Sequence, residues 1–587
     1  MAMKTLLTTL HSKYIHASLA LQYLKSYCKN EFENMEIREY TVNHDADYIL
    51  GEIYKGKYDL VCFSCYLWNI SETLTIGKNL KKVNPQVTIV LGGPEVSFDA
   101  VDLMEQHDFI DYIVIGEGEV TFQELLRYIC KGQGKLEDIR GIAYRRDGCV
   151  YQTEERELIQ ELDAIPSPFS EGLEGYENKI IYYESSRGCP HNCKYCLSST
   201  IKGVRFFSLD RVKKDLDLFL KEKVKQVKFV DRTFNAKKSH SLEIMKYIQK
   251  RDNGYTNFHF EITADLLDEE TLEFLSQVRE GLFQFEVGVQ TTYDVTMEAI
   301  DRRVNFDKLS KTVKKISEFR NIHLHLDLIA GLPYENFQRF RTSFDEVYAL
   351  KPEKLQLGFL KLLKGSGIRR DEKFHDYIYK DEAPYEVLAN RYISYDEMLQ
   401  LKMMEEMVEI YYNSHGFDYA VAFILCNFYD RPSDFYLDLA HYWEESGYHR
   451  TSHGRNELYE ILLKFYGHRS FEAKDIFQEI LKFDYVRQGK GALPDFFHHG
   501  ENRDFKNRMH RFLQDQGNIA QYLPQYEGLP VKQILKKVHF ESFAYDILKI
   551  IQNPRCLSIE REPITLLFDY DLKHKVFAKS KFYKVYL

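Results

Sequence analysis

Glu184-Ser185-Ser186-Arg187-Gly188-Cys189-Pro190-His191-Asn192-Cys193-Lys194-Tyr195-Cys196 is the stretch that decides the architecture. Its cysteines are spaced C-x3-C-x2-C. On one tight loop, three thiolates turn toward a common point, and soft sulfur donors select zinc, copper(I) or an iron–sulfur cluster. A structural zinc site closes with four ligands, and a four-iron cluster usually takes four cysteines. Three cysteines leave one iron of such a cluster without a protein ligand and open to another molecule. The competing readings are a zinc site that borrows a distant fourth ligand such as His191, or three ordinary cysteines.

Upstream of the loop, strand and helix patterns alternate. Met3 to Thr8, Met35 to Val42, Asp59 to Cys65, Val87 to Leu91 and Tyr112 to Ile115 read as strands. The later ones are continuous apolar runs, the kind buried on both faces of a parallel sheet. Helices are expected over Ser18 to Tyr27, after a Ser71 cap, and from Thr121. Strand and helix alternate five times, which argues a doubly wound sheet. Ligands of such sheets sit beyond the carboxyl ends of the strands, where Gly92-Gly93-Pro94-Glu95 and Gly116-Glu117-Gly118-Glu119 fall. Cys62 and Cys65 lie on one expected strand, and positions three apart point to opposite faces, so they read as core rather than as a redox pair. Gly141 to Gly148 reads as a hairpin with an Asp-Gly turn. Residues 141–170, with Pro166 and Pro168, form a connector.

Downstream of the strand Ile180 to Glu184, further strands are expected at Val227 to Asp231, Phe258 to Ile262, Gln284 to Gln290, Leu324 to Pro333 and Leu355 to Phe359. A helix follows the cysteine loop with Leu209, Val212, Leu216, Phe219 and Leu220 on one face, and Asp268 begins another. Six strands alternating with helices suggest a partial (β/α)6 barrel, whose chemistry gathers at the C-terminal strand ends.

The cysteine loop, with Arg-Gly before the first Cys and an aromatic before the last, resembles that of the radical S-adenosylmethionine (SAM) enzymes. Ser12-Lys13-Tyr14-Ile15-His16, Leu91 to Glu95 and Gly116-Glu117-Gly118-Glu119-Val120-Thr121 resemble the cobalamin-binding domain found in front of many of them. The chain is therefore read as α/β. Residues 1–140 form a flavodoxin/Rossmann-like cobalamin-binding domain, and 171–367 a radical SAM barrel. Residues 368–587 form a mostly α-helical domain with a terminal hairpin, similar to an uncharacterised domain attached to some bacterial members. The resemblance implies a [4Fe–4S] cluster on Cys189, Cys193 and Cys196. It implies SAM near Asp231, Glu261, Gln290, Arg302 and Gly331, and cobalamin near Tyr14, Gly92, Gly93, Glu95, Gly116, Glu117, Glu119 and Thr121. The D-x-H-x-x-G element that brings a histidine to cobalt elsewhere is absent, so the cobalamin is expected without a histidine ligand. The bland readings stay beside these: a tight βα turn for each glycine pair, an N-cap for Asp231, a surface pair for Glu261 and a solvated helix face for Arg302.

The implied function is methylation of an unactivated carbon, in which a 5′-deoxyadenosyl radical activates the substrate and methylcobalamin supplies the methyl group. Relatives that rearrange or cyclise their substrate, and a non-catalytic cobalamin- or redox-sensing module, remain alternatives. No second cysteine triad supports a methylthiotransferase. A flavodoxin- or ferredoxin-type electron donor is implied; the substrate class (small molecule, peptide, lipid or RNA) is open.

Composition bounds the rest. The chain has 587 residues, room for about three or four domains, and 44% hydrophobic residues, enough for sizeable cores. A net charge of −10 excludes a global basic signature for nucleic acid. The first ten residues read as a strand rather than a secretory leader. No stretch approaches about 20 apolar residues, so no membrane span is expected. Ten cysteines, scattered outside the loop, suit a reducing cytoplasm. In the last third, Tyr395 to Tyr412 reads as a helix packing Met398, Leu401, Met404, Val408 and Tyr411. Shorter helices are expected at Phe471 to Leu481, Pro530 to Lys537 and Glu541 to Gln552, and a hairpin from Ile564 to Tyr586 about Asp571-Leu572-Lys573. Lys573, Lys575, Lys579, Lys581 and Lys584 make that tail basic, and His498-His499 is a candidate ligand or proton donor, with an exposed loop pair as the commoner reading.

Overall fold

The computed structural model describes residues 3–497, 503–571 and 580–587. His498, His499, Lys573, Lys575, Lys579 and the expected turn at Leu572-Lys573 lie outside them. Two compact units emerge. The first comprises Met1–Ile322, Gly331–Asn336 and Gly358–Ser394, and the second comprises His323–Ala330, Phe337–Leu357 and Tyr395–Leu587.

The first unit opens with β1 (Thr5–His11), α1 (Leu19–Cys28), β2 (Met35–Thr41), α2 (Ala46–Lys55), β3 (Leu60–Ser64), α3 (Ile70–Val83), β4 (Thr88–Gly92), α4 (Ala100–Gln106), β5 (Tyr112–Val114) and α5 (Gly118–Lys131), followed by the hairpin β6 (Ile142–Arg146) and β7 (Cys149–Gln152). Strand order is β2-β1-β3-β4-β5-β6-β7. The first five strands are parallel, and the hairpin continues the sheet antiparallel. Order 2-1-3-4-5 is the flavodoxin-like winding, with its switch point between β1 and β3.

Apolar residues on both sheet faces explain the winding. Val61, Phe63, Ile89 and Leu91 pack under α2, α3 and α4, while Leu60, Cys62, Val90 and Val114 pack under α1 and α5. Cys62 and Cys65 are buried in these two separate cores, as the strand period requires. The hairpin turns through Asp147 (φ 51°) and Gly148 (φ 81°), the backbone a type I′ turn needs.

Two expected helix starts move. Ser71 lies inside α3, because Asn69 occupies the cap position. Asn69 is drawn into the loop, accepting from Tyr66 N at 2.8 Å and donating to Leu10 O at 3.0 Å. Thr121 sits within α5, which begins at Gly118.

Next come β8 (Ile181–Tyr183), β9 (Ser186–Gly188), β10 (Val204–Phe206), α6 (Leu209–Lys221), β11 (Gln226–Phe229), α7 (Lys238–Lys250), β12 (Asn257–Ile262), α8 (Glu269–Ser276), β13 (Phe283–Gln290), α9 (Asp294–Ala299) and α10 (Phe306–Phe319). Strands β8, β11, β12 and β13 pair in parallel in that order. Asp268 caps α8 by accepting from Thr271 N at 3.0 Å. In chain order β14 (His323–Ala330), α11 (Phe337–Tyr348) and β15 (Lys354–Phe359) come next. The long helices do not follow directly. A short α12 (Gly367–Arg370) and the hairpin β16 (Ile378–Tyr379) and β17 (Val387–Ala389) come first.

The second unit is mostly helical: α13 (Tyr395–Val408), α14 (Asp418–Phe428), α15 (Pro432–Ser446), α16 (Arg455–His468), α17 (Lys474–Gln488), α18 (Arg503–Gln514), α19 (Gln516–Tyr522) and α20 (Val531–Lys537). Met398, Leu401, Met404, Val408 and Tyr411 are buried as their spacing predicts. The helix expected from Phe471 begins at Lys474 and runs on to Gln488. The helix expected from Glu541 is corrected. Val538–Phe543 is β18, in which Val538, Phe540, Glu541 and Phe543 are buried, and α21 covers only Ile547–Gln552. β18 pairs antiparallel with β19 (Ile564–Asp569), which pairs with β20 (Lys581–Val585). Among the described residues no helix is long and apolar enough to cross a membrane.

On α7, His240 is buried, with Phe206 at 4.8 Å between ring centroids. Burial pushes its imidazole down to about 4, against a hydrogen bond with the Ser185 backbone. A His kept neutral when folded binds fewer protons than when unfolded, so stability falls as pH drops from 6.5 toward 4. Between pH 7 and pH 5 this one group is expected to remove roughly 2 kcal/mol. Thermal unfolding of His240→Phe across that range should show a correspondingly flatter pH dependence; an unchanged slope would refute the assignment.

Candidate functional site

The cysteine loop has little regular structure and is fastened from outside. Lys194 N donates to Ile300 O at 2.9 Å, and Lys194 O accepts from Ile368 N at 2.9 Å. The Lys194 ammonium pairs with Asp371 at 2.7 Å. Upstream, Asp231, just beyond the end of β11, is buried and accepts from Ser185 N (3.0 Å), Ser185 Oγ (2.7 Å) and Ser186 Oγ (2.6 Å). Burial pushes its carboxyl up, against those three bonds.

Two of the loop sulfurs already accept a hydrogen bond, and the third lies beside a hydroxyl. Cys189 Sγ lies 3.5 Å from Thr233 Oγ1, Cys193 Sγ accepts from Arg302 Nη1 at 3.5 Å, and Cys196 Sγ accepts from Ser198 N at 3.4 Å. Burial pushes the Cys193 thiol up, and the Arg302 guanidinium opposes this. His191, the candidate fourth zinc ligand, sits 3.3 Å from Thr263 Oγ1 through Nε2.

A cradle adjoins Cys193 at the end of β13. The alternation in Phe283–Gln290 buries Phe283, Phe285, Val287 and Val289 and leaves Gln284, Glu286, Gly288 and Gln290 half-buried on the other face. A Cβ on Gly288 would stand 2.2 Å from Gln290 Nε2 and 3.4 Å from Arg302 Nη2, so a side chain here would displace the Gln290 amide from its place. Gln290 holds φ 71°, a left-handed conformation that costs a residue other than glycine about 1–3 kcal/mol. Arg302 also donates to Tyr195 OH (3.2 Å) and to Gly288 O. Arg302 Nε and Gln290 Oε1 are buried without a hydrogen-bond partner among the described residues. An orphaned donor and an orphaned acceptor beside a glycine fit a polar ligand such as SAM. Gly331, after β14, accepts from Tyr377 OH at 3.2 Å and Asn390 Nδ2 at 2.9 Å. Glu261 is half-buried on β12, one strand from Glu286 in register.

Sequence reasoning missed the polar residues on this same strand face. Lys228 pairs with Glu286 at 3.1 Å, and His259 meets Glu286 at 2.9 Å. Their signal was available as charged residues recurring with period two on strands otherwise apolar.

At the C-terminal edge of the first sheet, the residues singled out separate into two groups. Tyr14, after β1, is 70% exposed and Gly116 has open space where a side chain would be. Ile15, Trp68 after β3 and Phe98 after β4 are also exposed; Trp68 stacks on Tyr66 at 4.6 Å. This apolar rim at the switch point, of which Trp68 went unnoticed in the sequence, suits a large flat ligand such as a corrin. Gly92 ends β4, and Gly93, at φ 109°, would set a Cβ 2.5 Å from Cys65 O, so packing alone requires glycine there.

The remaining side chains are already engaged. Glu95 is buried, accepts from Tyr385 OH and lies 3.5 Å from the Lys364 ammonium. Thr121 Oγ1 donates to Arg140 O and accepts from Arg156 Nε at 2.7 Å. Glu117 meets Arg205 at 2.7 Å and Arg187 at 3.4 Å, and Glu119 meets Arg187 at 2.6 Å. Arg187 also reaches Glu184 at 2.8 Å. Burial raises the Glu117 carboxyl, yet Arg205, the Ile159 amide and Arg187 carry it below its ordinary value. This network ties the first sheet's last βα turn to the strand that delivers the cysteines.

Family models match three stretches: a B12 binding domain over residues 6–126, the radical SAM superfamily over 183–347, and a protein of unknown function (DUF4080) over 373–568. The chain joins a B12-binding domain to a radical SAM domain. The cobalamin-dependent radical SAM methyltransferase TokK of Streptomyces tokunonensis is 28% identical over 350 residues, covering 54% of this chain and 49% of TokK. This chain thus spans about half the length of that relative. Two solved structures share the fold. The radical SAM methyltransferase TsrM from Kitasatospora setae, with cobalamin and a [4Fe–4S] cluster bound, gives a TM-score of 0.54 at 19% identity, over 64% of this chain and 78% of TsrM. OxsB, a cobalamin-dependent SAM radical enzyme, gives 0.52 at 15% identity, over 82% and 79%.

Arg187→Ala strips the buried Glu119 and Glu184 carboxylates of their shared cation. Removing one partner of a buried pair is expected to cost about 3–5 kcal/mol, read as a lowered midpoint of the first unit's unfolding in calorimetry. A loss under about 1 kcal/mol would place the network among ordinary surface pairs.

Proposed function

We propose that this chain is a cobalamin-dependent radical SAM enzyme that methylates an unactivated carbon. Cys189, Cys193 and Cys196 hold a [4Fe–4S] cluster, the cradle at the end of β13 seats SAM, and the C-terminal edge of the B12-binding domain holds cobalamin. The observation that carries this reading is the cradle itself: an unpartnered buried donor and acceptor and a glycine, beside a cysteine that already accepts a guanidinium hydrogen bond.

A three-cysteine cluster supplies the one-electron chemistry that cleaves SAM, and cobalamin carries the methyl group. The chain's own residues bind, orient and shield. Gln290 and Arg302 present an acceptor and a donor to the ligand, and Gly288 and Gly331 mark the strand ends on which it would rest. Asp231 acts at one remove, holding Ser185 and Ser186 and with them the entry to the loop. Glu261 stands on the same barrel strand set and is assigned to the ribose side of SAM. Tyr14, Gly92, Gly93 and Gly116 line the cobalamin edge. Glu95, Glu117, Glu119 and Thr121 support that edge through their side-chain bonds, leaving its backbone to face the cofactor. An electron donor of flavodoxin or ferredoxin type completes the reaction, and the seven cysteines outside the loop, none in a disulfide, suit a reducing compartment such as the cytoplasm.

Protein purified without oxygen and reconstituted with iron, sulfide and hydroxocobalamin is expected to retain near-stoichiometric cobalamin and cluster. Cys193→Ala should keep the cobalamin and lose the cluster. A filled cluster without cobalamin overturns the cobalamin assignment. Release of 5′-deoxyadenosine without S-adenosylhomocysteine would assign rearrangement or cyclisation in place of methyl transfer.

A further inference from the structure

The three cysteine sulfurs sit in different electrostatic surroundings. Cys196 accepts from a neutral amide. Cys189 faces the Thr233 hydroxyl, whose proton is directed at Arg232 O at 2.8 Å. Cys193 faces the guanidinium of Arg302, which is charged at every accessible pH. The cations of the loop stretch itself are neutralised, Lys194 by Asp371 at 2.7 Å and Arg187 by Glu119 at 2.6 Å and Glu184 at 2.8 Å.

Arg302 has no carboxylate partner among the described residues. Its bonds go to a sulfur, a phenol and a backbone carbonyl. A guanidinium drawn into a protein without an anion is costly. Thiolates ligating a cluster would provide that anion, so the placement of Arg302 makes electrostatic sense when the cluster is present. One electron accepted from a one-electron donor adds a negative charge to the cluster. An N–H···S bond from a fixed cation stabilises the reduced state more than the oxidised one, and hydrogen bonds to cluster sulfurs are among the determinants of potential. Arg302 Nε meanwhile remains without a partner at the cradle, so a single guanidinium touches both the sulfur and the ligand space.

We propose that Arg302 is a positioning residue that raises the reduction potential of the cluster through its hydrogen bond to Cys193. This rests on the proposed function, since it requires the cluster on these cysteines.

The test is an anaerobic dithionite titration of the reconstituted full chain, without SAM, followed by electron paramagnetic resonance of the reduced cluster. At the potential where the native cluster is half reduced, Arg302→Met is expected to show roughly fivefold less reduced signal at equal iron content. Arg302→Lys, which keeps the charge, should stay closer to the native curve than Arg302→Met does. If Arg302→Met takes up no cluster, Arg302→Gln, which keeps a donor and loses the charge, takes its place: less reduced signal than the native chain at that potential supports the proposal and a superimposed curve overturns it. Curves that superimpose on the native one overturn the proposal; if SAM added after the titration then changes the native spectrum and not that of the variant, Arg302 is a ligand-binding residue alone. A native chain that takes up no cluster overturns the proposed function itself, a distinct outcome.

Discussion

Three sulfurs must point at one place, and the loop that carries them has almost no hydrogen-bonded structure of its own. Everything around the site follows from that constraint. The loop cannot be rigid through a helix or a ladder, so its stiffness comes from partners in other elements. Lys194 is held at both its amide and its carbonyl, by the turn after α9 and by the start of α12. The residues before Cys189 are held by Asp231 at the end of β11. These anchors come from segments far apart in sequence, so the sulfurs are positioned only once the barrel strands have assembled. A buried aspartate that accepts three hydrogen bonds is a costly group to desolvate, and its return is geometric: it fixes where β8 ends and the loop begins.

The same logic governs the Gly-Glu-Gly-Glu turn. In a βα turn over a cofactor, two acidic side chains beside the backbone would be an electrostatic burden. Here Glu117 and Glu119 turn to Arg187 and Arg205 instead, and Glu184 shares Arg187. Arg187 lies two residues before Cys189. The Gly-Glu-Gly-Glu turn and the strand that delivers the cysteines are thus joined by side chains only a few residues from each. Buried ion pairs contribute little net stability but are severe about geometry, and fixing geometry between two sites is what this arrangement calls for.

Much of this was legible in the sequence, and the limits have physical causes. The cysteine spacing, the apolar strands β3 and β4 and the Asp268 cap are local signals, each contained in a few adjacent residues. The Ser71 cap failed because Asn69, two residues earlier, competes for the same role and is held by Leu10 and Tyr66, which no local pattern reveals. Thr121 failed because helix α5 starts on two glycine-flanked glutamates whose charges are satisfied by Arg187 and Arg205 from beyond the hairpin. The Glu541 helix failed because burial reverses the propensity of its charged residues: Glu541 is 3% exposed and paired with Lys482 at 2.7 Å, so a strand carrying it inward is stable. In the site, residue identities were readable at Gln290 and Arg302, but their orphaned atoms were not, because an unsatisfied hydrogen bond is a property of the assembled surroundings.

The second unit shows the same effect at its centre. Helix α17 carries Glu479, Lys482, Asp484 and Arg487, none more than 3% exposed. Sequence pattern alone would place these charges on a solvated face. Each instead finishes another element. Glu479 accepts from Ala544 N at 2.7 Å, and Lys482 donates to Ser542 O at 2.7 Å, both at the end of β18. Asp484 accepts from Tyr419 N and Ala420 N at 3.0 and 2.8 Å, satisfying the first turn of α14, and Arg487 pairs with Asp418 at 2.7 Å in that same turn. An apolar α17 would bury as well but would tolerate sliding along its neighbours. Four directional partners at fixed heights admit a single register between α17, the start of α14 and the end of β18, so here specificity of arrangement is obtained from groups that hydrophobic patterning counts as errors.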